Sequence, residues 1–338
     1  MRRHAADAGP GRHAMANANP TARTPPAWPA LDYAAGRATR EALHLWLQIV
    51  GKYALSHSPW LNHGWHSTLR VTPCGIRTQR VPDAGGTEVE LDLLGSALVI
   101  RAADGRSAGF ALEAMSVACF FERFRAAVAC VGGSPGDAQP VPNELPQAVP
   151  FAEDTAERPY DDAGVCALHQ ALLRAAEVFD VFRSSFLGKS SPVHLFWGSF
   201  DLAVTRFSGR RAPCHPGGVP HLSDAVAREA YSHELHSAGF WPGDARLPEA
   251  AFYAYAYPQP EGFPRIAGLP AGARYEDALG EYVLPYAAVR GAADPAALLL
   301  DFMDRTCVAA ADLGHWDRAR LECAPGRPLQ PRAPDCIG

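Results

Sequence analysis

An aspartate set in the middle of an apolar run is the first residue here that needs a chemical explanation. Val193 to Val204 is almost continuously hydrophobic, as in a strand covered on both faces, and Asp201 stands inside it. An unpaired carboxylate is costly to bury, so Asp201 must either take a raised pKa or meet a cation or several donors. Arg206, Arg210 and Arg211 follow closely and could supply the cation. Two uses fit these letters: a structural Asp-Arg pair that fixes the next turn, or a carboxylate in a pocket whose arginines orient an anionic substrate. Period-two alternation places His194, Phe196, Phe200 and Arg206 on one strand face and Trp197, Ser199 and Asp201 on the other, provided Gly198 introduces no bulge.

Histidines supply the other chemistry. Asn62-His63 beside Trp65-His66 is a polar and aromatic cluster, although a lone histidine is more often a hydrogen-bonded core or turn residue than a catalyst. Leu222 to Leu235 can form a helix after Ser223-Asp224, on which Glu229, His233 and His236 would share one face at i, i+4 and i+7. That spacing suits metal ligands, but it is not H-E-x-x-H, and a solvated polar face explains the same letters. His233 and Glu234, close to Phe240-Trp241-Pro242, are the stronger candidates for membership of a site.

These residues define a first expectation: a small-molecule enzyme or binding protein with a pocket between two halves of the chain. Catalysis would fall to His194, Asp201, His233 and Glu234, and substrate binding to His66, Trp197, Arg206, Arg210 and Arg211, with no metal assigned. The ligand expected is small and anionic, and the cofactor is left open. Two alternatives stand beside it. A metal-dependent hydrolase would use His63, His66, His233 and Glu234. In a non-catalytic interaction module the same residues would be core and interface. Trp60, Trp65, Trp197, Trp241, Tyr253, Tyr255 and Tyr257 could line a pocket, with core packing the blander reading.

Other matches fail on context. Gly188-Lys189-Ser190 resembles the end of a phosphate-binding loop, but Arg183 stands where the first glycine is required and the segment leaves a helix. Gly198-Ser199 lacks the second glycine of G-x-S-x-G, and no Gly-rich dinucleotide fingerprint occurs. Cys214-His215 are adjacent, which does not align a thiolate with a base; a turn around Pro213, Pro216 and Gly217-Gly218 accounts for them.

The elements that would carry these residues repeat. Between Tyr33 and Val50 the spacing of Ala42, Leu45, Trp46 and Ile49, continued by Tyr53, predicts a helix, and Val165 to Phe186 predicts another, capped by Asp161 and Asp162 and closed by Gly188. Each ends in Gly-Lys, at Gly51-Lys52 and Gly188-Lys189, and is followed by Ser-Pro, a histidine, a tryptophan and Leu-x-Val-Thr. Strand-like runs at Thr87–Leu93 and Ala97–Ala102 precede a helix at Met115–Val131. In the second half, the run around Tyr253 to Tyr257 and an edge strand at Glu281–Leu284 precede a helix at Asp294–Ala311. The fold class expected is α+β: two related halves, each helix, antiparallel strands, helix, packed as one globular unit. The divisions are a flexible tail at 1–27, halves at 28–134 and 151–322, a Pro-rich joint at 135–150, and a second flexible tail at 323–338. Met15 is an alternative start.

With 338 residues, a net charge of -5 and a pI near 6.2, the chain has room for about two domains and carries no overall positive field, so nucleic acid is not an expected partner. The eight cysteines form no C-x-x-C pair, the N-terminus has no secretory apolar core, and no apolar run is long enough to span a bilayer; a cytoplasmic protein without a membrane partner is expected. The oligomeric state cannot be read from these letters.

The run SPVHLFWGSFDLAVTRFSGRRAPCHPGG at Ser191 to Gly218, with EAYSHE at Glu229 to Glu234 and AGFWPG at Ala238 to Gly243, resembles an uncharacterised bacterial family known only as a domain of unknown function, family 5996. LHLWLQIVGK at Leu43 to Lys52 and PWLNHGWHSTL at Pro59 to Leu69 resemble it too, so the likeness covers about Trp28 to Trp316. It implies no established activity, fold or cofactor. The family pattern has Ser where this chain has His236, which weakens the helical metal triad.

Overall fold

The computed structural model describes residues 27–332; most of the expected N-terminal tail, with Met15, and residues 333–338 lie outside the described residues. Helix α1 (Arg37–His57) buries Ala42, Trp46, Ile49 and Tyr53 of the expected stripe, with Leu43, Leu47 and Val50 besides, while Leu45 is only partly buried. It does not end at Gly51-Lys52 but continues to His57. Gly51 is there for packing: a Cβ at this position would lie 2.2 Å from the ring of Trp197.

A 3-10 turn at Asn62–Gly64 leads into five antiparallel strands in chain order, β1 (Arg70–Val71), β2 (Gly75–Arg77), β3 (Glu88–Asp92), β4 (Ala97–Arg101) and β5 (Ser107–Ala111). Val89, Leu91, Leu98 and Ile100 alternate inward along β3 and β4, the period of a sheet with one packed face. Strand β6 (Met115–Ser116) opens helix α2 (Val117–Cys130), where Ser116 accepts from the Cys119 N–H as cap, and pairs with β7 (Glu157–Arg158). Helix α3 (Asp162–Ser184) is capped by Asp161.

A second antiparallel sheet contains β8 (His194–Phe196), β9 (Asp201–Arg211), β10 (His233–Trp241), β11 (Ala251–Tyr257), β12 (Arg274–Glu276) and β13 (Glu281–Pro285), in the order β12-β13-β11-β10-β9-β8. Helix α4 (Asp224–Ala230) lies between β9 and β10, and α5 (Tyr286–Arg290) and α6 (Pro295–Leu313) follow β13. The sheets join edge to edge where Leu69 and Leu195 exchange both backbone hydrogen bonds at 2.9 Å. Helices α3 and α6 cover one face of the second sheet, and the main hydrophobic core runs from Trp46 and Phe120 to Phe252 and Phe302. The fold is α+β, as expected. Among the described residues no helix is long and apolar enough to cross a membrane.

Four local expectations are corrected. The apolar run Val193–Val204 is not one strand but a hairpin: β8 and β9 are joined by a turn at Trp197–Phe200, in which Phe200 takes a φ of 59° and stacks on His44. Apolarity cannot distinguish one buried strand from two. The segment Leu222–Leu235 is not one helix, because α4 stops at Ala230 and β10 begins at His233. Strand β13 is internal, with β12 at the edge. Residues 323–332, assigned from the sequence to the flexible tail, return to the end of α3, where Cys323 N–H donates to Ser185 O at 3.1 Å and Gly326 N–H to Ser184 Oγ at 3.0 Å.

Candidate functional site

Strand parity sorts the second sheet into two uses. Asp201, Thr205 and Phe207 share one face of β9; opposite Thr205 and Phe207 stand Ser237 and Leu235 of β10, and opposite Ser237 and Gly239 stand Tyr255 and Tyr253 of β11. Arg206 and His236 share the other face, which the helices cover. The first face is the floor of a cavity of about 450 Å³, within the size range of small-molecule sites. Its other walls come from the stretch Trp60–Ser67, from the joint through Ala138, Gln139, Asn143 and Glu144, from the turn at Trp197–Ser199, and from Val226, Ala227 and Ala230 of α4.

Asp201 is buried and meets donors rather than a cation: Ser199 Oγ and Tyr253 OH both donate to its carboxylate. Burial pushes its pKa up against the pull of those two hydroxyls. The contact with Tyr253 depends on Gly239, which lies between them across the sheet. A Cβ there would stand 2.4 Å from the Tyr253 hydroxyl and 2.5 Å from Leu202 O, so only glycine lets the phenol reach across β10. Tyr255 and Tyr231 continue the polar wall, their hydroxyls 3.0 Å apart.

Glu144 is the second acid. Its backbone has a φ of 62° and donates from N–H to Pro220 O at 2.8 Å, while its carboxylate lies against Gly198, where a Cβ would meet Oε1 at 2.0 Å. Burial, with the neighbouring Asp201 charge second, raises its pKa to about 7. The same causes raise Glu281 of β13 to about 7.

Helix α1 holds this wall in place. Gln48, fully buried, accepts from Asn143 N–H and donates to Asn143 O and Gly198 O. Lys52, one turn on, donates to Asn143 Oδ1 at 2.7 Å and lies 5.8 Å from the Trp197 ring centre. Burial lowers the Lys52 pKa to about 8. On the opposite wall, His63 sits in the left-handed region at φ 60°, a strain that several contacts offset. Its N–H donates to Glu229 Oε2 at 2.7 Å and its Nδ1 donates to Ala230 O, which fixes the tautomer and leaves Nε2 to accept from Lys189 Nζ at 2.6 Å. His66 Nδ1 accepts from Leu61 N–H, so its proton is on Nε2, which has no protein partner among the described residues. Burial lowers the pKa of both histidines.

The residues singled out from sequence therefore separate. Asp201, His66 and Trp197 line the cavity together, and Trp197 donates from Nε1 to Ser67 O at 3.1 Å. His194 pairs with Ala203 across the hairpin, on the Asp201 side of the sheet, but is fully buried beside Trp65 and Phe196 with Nδ1 on Thr68 Oγ1, and is not a wall residue. Burial, then Arg70 and Arg183, hold its pKa down to about 3. Arg206 is enclosed between α3 and α6, donating to Phe182 O, to Ser185 Oγ at 2.7 Å and to Cys307 Sγ, with its guanidinium 3.4 Å from the Phe182 ring centre. Arg210 pairs with Glu234 at 2.7 Å and caps the end of α6 through His315 O, while Arg211 is exposed at the strand end. The arginines behind the anionic-ligand expectation thus lie outside the cavity, because strand parity and strand length carry them away.

The metal alternative fares no better. His233 comes within 5.9 Å of His63, ring centre to ring centre, but both ring nitrogens of His63 are engaged, Glu234 is bound to Arg210, and His236 faces α6, where it meets Thr306. Among the described residues no group of three or more His, Cys, Asp or Glu is placed to hold a metal ion. The residues that sequence reasoning missed are Glu144, Lys52, Gln48 and Asn143. Glu144 and Asn143 stood in a segment read as a linker, and Lys52 in a helix read as ending there.

A family described as a family of unknown function (DUF5996) matches residues 28–323. No curated protein and no solved structure matches the chain.

Proposed function

The chain belongs to this family of unknown function, which brings no reaction with it, and we propose from the geometry that it is a small-molecule protein that works by acid–base chemistry in the cavity between its two halves. The observation that carries the reading is the collection in one cavity of Asp201, Glu144, Tyr253, His66 and Lys52 with the rings of Trp60, Trp65, Trp197 and Phe207. Aromatic walls bury the apolar body of a ligand, and a few convergent polar groups orient it. Glu144 is the proton carrier, since an acid raised to about 7 exchanges its proton at neutral pH. Asp201, held by Ser199 and Tyr253, is its fixed neighbour and raises it further. With the arginines elsewhere, a neutral or singly polar ligand suits the acidic floor better than a strong anion. The same order of helix, antiparallel strands and helix on either side of the joint supports reading the halves as a duplication, with the cavity at their seam.

Binding is testable without knowing the natural ligand. Small aromatic alcohols, amines and carboxylates can be screened by tryptophan fluorescence, because Trp60, Trp65 and Trp197 line the cavity. Neutral ligands are expected to bind with an affinity that changes between pH 6 and 8, and Glu144→Gln is expected to flatten that change. Ligands that leave the fluorescence unmoved and bind equally to Glu144→Gln and Asp201→Asn would overturn the proposal.

A further inference from the structure

Lysine is nearly absent from this chain. Two lysines stand against 29 arginines, and both lie at the cavity: Lys52 in its wall, and Lys189 on His63, another wall residue. Elsewhere the chain takes its positive charge from arginine, which stays protonated. What lysine offers in addition is an amine that can lose its proton and attack a carbonyl carbon.

Lys52 is placed for that use. Only 7% of it is exposed, its ammonium has a neutral partner, Asn143 Oδ1, and no carboxylate pairs with it among the described residues. Its amine lies toward Trp197, and the Glu144 carboxylate lies against Gly198, so amine and acid border the same two-residue stretch of the turn. Asn143, which holds the amine, is the chain neighbour of Glu144. We propose that Lys52 forms an imine with an aldehyde or ketone bound in the cavity, with Glu144 carrying the proton.

The inference rests on the cavity being the ligand site and names the chemical class of that ligand. In the step, the neutral Lys52 amine attacks the carbonyl carbon and one of its two protons passes to the carbonyl oxygen to give a carbinolamine. The C–O bond then breaks, the oxygen leaves as water with a proton from Glu144, the nitrogen passes its remaining proton back to the Glu144 carboxylate, and a C=N bond is left. One water is released and no oxidant or reductant is consumed. Burial favours both partners, lowering the amine to about 8 and raising the acid to about 7, so each has its reactive form available near neutral pH. Lys189 has a different place: it is exposed, and its ammonium lies 5.4 and 4.9 Å from the ring centres of Trp65 and Phe207 while it donates to His63. It is the internal control.

With two lysines, trapping is clean. The full chain is incubated at pH 7.5 with benzaldehyde, cyclohexanone or pyruvate and sodium cyanoborohydride, which reduces the imine, and adducts are located by mass spectrometry. Saturable labelling of Lys52 at least tenfold faster than Lys189 with one of the probes is expected. Glu144→Gln is expected to slow it at least tenfold, and Lys52→Arg to abolish it with unchanged circular dichroism. Labelling of Lys52 no faster than of Lys189 with all three probes would overturn the inference. If the probes then still perturb the cavity tryptophans, the imine falls and the ligand site stands; if they do not, both fall.

Discussion

Replacing Glu144 by glutamine removes a charge with little change of shape, and the consequence for stability can be worked through. Burial and the Asp201 charge move this carboxyl from an ordinary 4.5 to about 7. At about 1.4 kcal/mol per pH unit, the displacement sets a ceiling of roughly 3 kcal/mol, and the openness of the cavity to water brings the expectation to about 1–3 kcal/mol. The sign follows from the direction. A raised carboxyl holds its proton more tightly in the folded chain than in the unfolded one, so its contribution is fully present below pH 4.5 and is lost as the pH rises through 7. The amide of the variant cannot titrate. The wild type should therefore lose about 1–3 kcal/mol relative to Glu144→Gln between pH 5 and pH 8, read by urea denaturation followed by tryptophan fluorescence. The buried histidines are common to both chains and cancel in the difference. In an Asp201→Asn background the swing should shrink, because the second cause of the shift has gone. A difference between wild type and variant that does not move with pH would refute the reasoning.

Other outcomes follow from particular contacts. Gly51→Ala would ordinarily stabilise a helix by about 1 kcal/mol, but the new Cβ would lie 2.2 Å from Trp197, so a net loss of about 1–3 kcal/mol and weaker cavity binding are expected in denaturation and fluorescence titrations. Gly239→Ala should cost at least about 2 kcal/mol and, by displacing Tyr253 from Asp201, alter the pH dependence of binding. Arg206→Met, on the helix-covered face, should leave affinity in the cavity within about twofold of wild type whatever it does to stability, since it touches α3 and α6 and no cavity wall. His194 and His236, both held down to about 3, should remain neutral in NMR titrations until the chain unfolds; their contribution is complete above pH 6.5 and is lost as the pH falls toward 3.

Helices were the most legible part of the fold, because a buried stripe recurring with helical period is a signal that each segment carries alone. Helix α2 lies within a residue or two of the expected Met115–Val131, and α6 of Asp294–Ala311. Segments whose structure is set by a distant partner were not legible in this way. Nothing within Val193–Val204 says where β8 stops and β9 starts, since both strands of the hairpin are buried and apolar; the turn is fixed by Phe200 on His44 and Trp197 on Gly51, contacts with a helix far earlier in the chain. His233 and His236 share a face on a helix and oppose one another on a strand. Ending α4 at Ala230 therefore dissolved a metal triad that the spacing alone allowed.

The site divides along the same line. Asp201 could be found because a charge in an apolar run is a local anomaly, and the demand that it meet several donors is met by Ser199 and Tyr253. Its arginine partners were not legible in the same way, since one residue of parity decides whether a strand side chain meets the floor of a cavity or the underside of a helix; Arg206 is on the helix-covered face and Asp201 on the cavity face. Glu144 is anomalous only in three dimensions: in the chain it is one acid among prolines, and in the fold it is wedged between Gly198 and Asp201. Three signals nevertheless stood in the letters. Gly51 within a helical stripe and Gly239 within a strand mark the places where another side chain must approach, and each leads directly to the cavity, through Trp197 in one case and Tyr253 in the other. The third signal, a lysine kept where the rest of the chain uses arginine, marks Lys52, so composition and close packing, more than any motif, converge on the same wall.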